Sequence, residues 1–221
     1  MTEAPPRLSF AATSVASLVG AVRSALGEEL CPDWDQITTA ISARAEELIA
    51  AHRHMALDPP GEQWLRTSSI VLAAYQALKQ LAAGPRLLAI FHDAMAGPFR
   101  VQISGYLESR FGISPGAPEE AFSRISENFQ KRGEQRFGSA FRSATTAQDG
   151  SRNFVNIERC FFNDFFRAND AKEVISLFCA LDKVWAEALE QPRYEVRFER
   201  PTTLANGDDA CRFQFRKVDS A

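Results

Sequence analysis

Apolar and polar positions along the chain change rhythm near residue 138. Before it, apolar residues recur at helical spacing; after it, runs with strand alternation appear between helices. Residues 8–26 read as a small-residue helix stopped by Gly27. Asp33, with Gln36 three residues on, resembles a capping box opening a helix that carries Ile37, Ile41, Leu48 and Ile49 and ends before Pro59 and Pro60. A third helix is expected over about 62–83, stopped by Gly84–Pro85. A fourth starts at Pro85, breaks at Gly97–Pro98, and resumes over 99–111 with Gly112 as its stop. Pro118 opens another helix, with Phe122, Ile125 and Phe129 on one face.

Beyond Gly138, 139–146 and 152–160 read as the arms of a β-hairpin turned at Asp149–Gly150. Residues 161–169 and 171–190 read as helices, and 194–200 and 211–218 as two more strands joined by a loop containing Asn206–Gly207–Asp208–Asp209. The expected fold class is α+β: an N-terminal helical layer on an antiparallel sheet of about four strands, with two further helices. No Gly/Ser-rich linker separates the helical part (1–137) from the mixed part (138–221), so 1–221 is expected to be a single compact domain.

Composition narrows the function. With 221 residues and 45% hydrophobic content, the chain can build one sizeable core. Its 25 basic against 28 acidic residues leave no global positive field, so a nucleic-acid partner is not expected. No run reaches the roughly 18 apolar residues that span a bilayer, and residues 1–22 lack the features of a signal peptide; no membrane partner and a cytoplasmic location are expected. Cys31, Cys160, Cys179 and Cys211 form no CxxC pair and are expected as free thiols. With His52, His54 and His92 they make no zinc pattern, and no metal or cofactor is expected. Phosphate-loop and HExxH motifs are absent, as is a GxSxG elbow between a predicted strand and a helix. Most of the 17 Phe lie beyond residue 90.

Candidate chemistry concentrates in the second half. On the 171–190 helix Asp182 falls inside an apolar arc of Ile175, Phe178, Leu181, Trp185 and Leu189, with Cys179 at its edge. A carboxylate there is costly unless paired or protonated, so it is a structural partner of a buried Arg or a catalytic acid/base with a raised pKa. In 152–160, Val155 and Ile157 alternate with Asn156, Glu158 and Cys160. That second row is solvated, or lines a cleft if the helical half covers it; Cys160 is then a nucleophile or a buried filler. Arg200 shares the face of Tyr194, Val196 and Phe198, so it reaches inward to bind a substrate carboxylate or to pair with Asp182. His92, just before Gly97–Pro98, borders a helix break that could open a pocket, or is an ordinary packed or surface histidine.

The ordered set Arg159–Cys160–Phe161–Phe162, Cys179–Ala180–Leu181–Asp182, Arg200–Pro201–Thr202–Thr203, and Gly207–Asp208 with Cys211 resembles the L-2-amino-thiazoline-4-carboxylic acid hydrolase family over about 137–217. The helical half is similar in general character only. The resemblance implies a cofactor-independent hydrolase that opens the ring of 2-aminothiazoline-4-carboxylate, or of a similar small amino-acid-like substrate, to a carbamoyl-cysteine by C–N cleavage. In that frame Asp182, Glu158 and Cys160 are the candidate catalytic residues, and Arg200, Thr203, Asn156, Cys179 and His92 the candidate substrate contacts. A lyase or cyclase on a modified amino acid is the alternative enzyme. The sheet is also similar to small-molecule-binding domains of the 4-vinyl reductase type, which implies a non-catalytic alternative. The helical half is expected to serve as a lid or as a surface for a second copy, away from the chemistry.

Overall fold

The computed structural model describes residues 13–27 and 33–218, and its architecture is α+β. Six helices come first: α1 Val15–Leu26, α2 Trp34–His52, α3 Pro59–Leu78, α4 Gly84–Val101, α5 Ile103–Phe111 and α6 Ala121–Phe137. Then follow β1 Arg142–Gln148, β2 Arg152–Arg159, α7 Phe161–Ala168, α8 Lys172–Leu189, β3 Val196–Glu199 and β4 Cys211–Lys217.

Capping explains where the helices begin. Ser14 and Ser17 form a reciprocal capping box, so α1 starts at Val15 and not near Leu8; positions 8–12, and Cys31, lie outside the described residues. Asp33 caps α2 through the Gln36 N–H at 2.9 Å. Asp58 caps α3 through Gly61, and Pro59 and Pro60 occupy its first turn, where their missing N–H groups cost nothing; α3 therefore starts before Glu62, and it ends at Leu78. The expected break at Gly97–Pro98 does not occur. Pro98 removes one intrahelical bond, yet α4 continues to Val101 and the chain restarts as α5 after Gln102.

The strands pair antiparallel in the order β1-β2-β4-β3. Aspartate chemistry closes the first hairpin: Asp149 Oδ1 accepts from the N–H groups of Ser151 and Arg152. Val155, Ile157, Cys211, Phe213, Phe215 and Val196 face the helices, with α6 and α8 packed on this side. The opposite face carries Asn156, Glu158 and Gln214, with Arg216 over the Phe154 ring at 4.6 Å. One core cluster runs from Leu18 of α1 to Phe215 of β4, so the helical and mixed segments bury their apolar surface together.

The turn from α6 into the sheet is held from a distance. Gly138 sits at φ +69° with the Asp58 carboxylate against its Cα, and a Cβ there would collide with both carboxylate oxygens. The same carboxylate accepts the Ser139 N–H at 2.7 Å. Asp58 thus caps α3 and fixes the approach of β1, which carries one wall of the cavity described next.

Candidate active site

Between the sheet and helices α4, α5, α6 and α8 lies a cavity of about 110 Å³. At roughly 10–15 Å³ per water, it suits one small molecule. Phe99, Phe129, Phe137, Phe141, Phe162, Phe178, Trp185 and Phe213 make most of its wall. Gly133 and Glu134 of α6 and Ser143 of β1 also line it, and Glu134 is exposed.

Asp182 projects into this cavity from the face of α8 that also carries Phe178 and Trp185. Protein encloses it, and the 33% of its side chain that stays accessible borders the cavity. Its Oδ2 accepts from Arg200 Nη1 at 2.6 Å and its Oδ1 from the Trp185 indole N–H at 3.1 Å. Burial pushes the Asp182 carboxyl above the ordinary carboxylate range, and the Arg200 guanidinium and the indole pull against it. Arg200 also donates through Nη2 to the Cys179 carbonyl at 3.1 Å. Two of its nitrogens are therefore committed to α8.

The loop after β3 explains how Arg200 is held. Thr202 Oγ1 donates to the Ala210 carbonyl at 2.8 Å, and Asp208 accepts the Thr203 N–H at 2.8 Å. The Leu204 N–H points at Cys211 Sγ, 3.2 Å away, and Gly207 takes φ +94° in the turn. Arg200 at one end of this loop and Cys211 at the other both line the cavity.

Among the sequence candidates, Asp182, Cys160, Cys179 and Arg200 meet in the cavity; Asn156, Glu158, Thr203 and His92 do not. Glu158 sits on the outer sheet face and pairs with Arg142 at 2.9 Å. Asn156 shares that face, because Val155 and Ile157 take the inward positions. Cys160 escapes the outward row because β2 ends at Arg159 and Cys160 becomes the cap position of α7. Thr203 is used up in its own loop, where its hydroxyl accepts the Asn206 N–H. His92 lies on unbroken α4 with its ring nitrogen 3.2 Å from Asp93, so no helix break forms a pocket beside it.

Burial raises the pKa of all three cavity thiols: Cys160 well above its ordinary value, Cys179 to about 12, and Cys211 also upward. They are neutral thiols at physiological pH. Among the described residues, no three His, Cys, Asp or Glu side chains are grouped to hold a metal ion, and no helix is long and apolar enough to cross a membrane.

The helical half supplies a polar wall that the sequence reading missed. Arg110 of α5 is 4% exposed, stacks over the Phe129 ring at 4.3 Å, and donates to the Phe129 carbonyl. It lies beside the buried Tyr106 hydroxyl. A Cβ on Gly133 would meet Arg110 Nη2 at 3.0 Å, so a glycine in the interior of α6 makes room for the guanidinium. The interior glycine was the available sequence signal, since it costs a helix about 1 kcal/mol against alanine. The expectation that the helical half stands apart from the site is therefore corrected: α4, α5 and α6 form one side of the cavity.

The family model of L-2-amino-thiazoline-4-carboxylic acid hydrolase matches residues 65–215, well over half of the chain. The chain belongs to this family. The match extends the resemblance seen in 137–217 back into α3, so the L-2-amino-thiazoline-4-carboxylic acid hydrolase span includes Tyr106, Arg110 and Gly133 as well as Asp182 and Arg200. No curated protein and no solved structure matches the chain. The family description names a hydrolase of a thiazoline carboxylate, a small molecule that carries one carboxylate.

Proposed function

We propose that the chain hydrolyses a small cyclic amidine amino acid, 2-aminothiazoline-4-carboxylate or a close analogue, inside this cavity. The observation that carries the reading is the Asp182–Arg200 pair, held by Trp185 in an aromatic enclosure that stays open to a ligand. The family's description supports the same substrate class.

The reaction needs water added to the ring carbon C2 and a proton delivered to the departing nitrogen. Asp182, kept ionised by Arg200 yet made more basic by burial, accepts a proton from the attacking water as the new C–O bond forms. During addition Asp182 passes that proton to the ring nitrogen. The tetrahedral adduct then collapses: Asp182 takes the adduct hydroxyl's proton as C2=O forms and the C2–N ring bond breaks, and gives it to the departing nitrogen, which becomes the free amine of a carbamoyl-cysteine. Water is the only co-reactant, and the carboxylate returns to its starting state. The neutral thiols of Cys160, Cys179 and Cys211 serve as soft wall against the ring sulfur, not as nucleophiles, because a protonated thiol attacks poorly.

The test is turnover of 2-aminothiazoline-4-carboxylate by wild type and Asp182→Asn, with thermal melting recorded beside it. The variant is expected to lose about 10²- to 10⁴-fold in kcat while melting cooperatively. An inert wild type across a panel of amino-acid-derived cyclic amidines, or an Asp182→Asn variant at wild-type rate, refutes the reading. Tight binding without turnover assigns the site to ligand carriage.

A further inference from the structure

The cavity holds two guanidinium groups, and their circumstances differ. Arg200 has a carboxylate partner in Asp182 at 2.6 Å. Arg110 has none: among the described residues no Asp or Glu oxygen lies within ion-pair distance of it. Its support consists of one backbone carbonyl, the ring faces of Phe111, Phe129 and Phe137, the neighbouring tyrosine hydroxyl and the longer-range field of Asp182. A guanidinium carries five N–H donors, and a buried charge without a counter-ion costs several kcal/mol. Burial lowers the Arg110 pKa to about 10, which still leaves it cationic at neutral pH. A second cation, Arg136 of α6, stands over the Tyr106 ring at 5.2 Å with its Nε buried and unpartnered. Arg136 is not part of the cavity wall, but its charge adds to the positive field at Arg110. The cavity lining holds Arg110 and Arg200 against Asp182 and Glu134; Glu134 is exposed and screened by solvent, so among the enclosed groups one positive charge is in excess.

We propose that Arg110, seated against Gly133 and Phe129, is the receptor for a carboxylate on the ligand, and that a monoanionic carboxylate is what completes the cavity. The inference rests on the reading of the cavity as the substrate site and deepens it by assigning the anion to α5, not to Arg200. One planar fork then holds the substrate carboxylate while the other orients Asp182, so binding and proton transfer fall to different arginines. The role also accounts for Gly133, because the guanidinium occupies the space a larger residue's side chain would fill.

Two hydrolysis-resistant aromatic probes separate the outcomes by calorimetry: 2-aminothiazole-4-carboxylate and 2-aminothiazole, which differ only in the carboxylate. Wild type is expected to prefer the acid by about 10- to 100-fold, the range of a charge-assisted hydrogen-bonding pair. Arg110→Met is expected to erase that preference, leave 2-aminothiazole binding unchanged, and melt at or above the wild-type temperature, since it removes an unpaired buried charge. Arg110→Lys, which keeps the charge and loses the fork, is expected to fall between the two and provides the reading if the Met variant does not fold. A merely structural arginine instead lowers the melting temperature and weakens both probes alike, which overturns the proposal. Equal affinity of wild type for the two probes overturns it while leaving the hydrolase reading standing; binding of neither probe removes both.

Discussion

At the scale of single residues, the cavity separates groups that the sequence shows side by side. Cys160 and Glu158 lie two positions apart, yet one lines the cavity and the other pairs with Arg142 on the outer face, because β2 ends between them. The thiols give a direct check on the enclosure. Since burial raises all three, the thiolate that reacts with iodoacetamide is scarce near pH 8. Cys160, Cys179 and Cys211 are expected to resist alkylation in the folded protein and to label fully in denaturant, as read by peptide mass spectrometry. Rapid native labelling of Cys160 would instead mark it as an activated nucleophile. Asp182 gives a second check, in the pH dependence of the proposed hydrolysis. It must be ionised to take a proton, and burial holds its pKa above the ordinary carboxylate value. The rate therefore rises with pH along an acid limb lying above the normal carboxylate range, and Asp182→Asn abolishes that limb together with most of the rate. An acid limb at an unshifted carboxylate value would point to an acid other than Asp182.

At the scale of elements, the chain advertises what local rules govern and hides what docking governs. The Asp149–Gly150 hairpin, the apolar arc of α8 with Asp182 inside it, and the alternation of Cys211, Phe213 and Phe215 are visible because period and turn chemistry are local. Arg110 is not visible in this way. On a nine-residue helix it reads as an ordinary surface cation, and only the packing of α5 on α6 buries it. The role of Asp58 is hidden for the same reason, since its partner Ser139 is 81 positions away. That contact predicts how the junction responds to mutation. Gly138→Ala combines a left-handed backbone with a collision against Asp58, and is expected to destabilise by about 1–3 kcal/mol in urea unfolding. Asp58→Ala removes the α3 cap and is expected to cost about 1 kcal/mol at neutral pH. Burial alone would raise the Asp58 carboxyl, but the N–H groups of Ser139 and Gly61 bring its pKa below the ordinary 3.8. A carboxylate with a lowered folded pKa stabilises fully above its unfolded value and loses that contribution as pH falls through the folded one. The wild-type advantage over Asp58→Ala should thus be flat near neutrality and shrink below about pH 4; an advantage that grows on acidification would contradict the assignment.

At the scale of the whole molecule, the abundance of phenylalanine acquires a specific use. Phe111 and Phe129 from the helical segment stack within 6.0 Å of each other, and Phe129 lies 5.0 Å from Phe215 of the sheet. Trp185 bridges them, with Phe111 on one side and Phe198 on the other. The aromatic cluster that closes the cavity is thus the same material that joins helices to sheet, and the cavity cannot persist if the two segments separate. Thermal unfolding followed by near-ultraviolet dichroism of this cluster and by far-ultraviolet dichroism of the helices should therefore coincide in one transition. A carboxylate-bearing ligand should move both signals together, by about 2.7 kcal/mol when present at a hundred times its dissociation constant. Two separated transitions, or a ligand that shifts the aromatic signal alone, would mean that the sheet and its two helices hold the site unaided, and that the wall containing Arg110 closes over a site already formed.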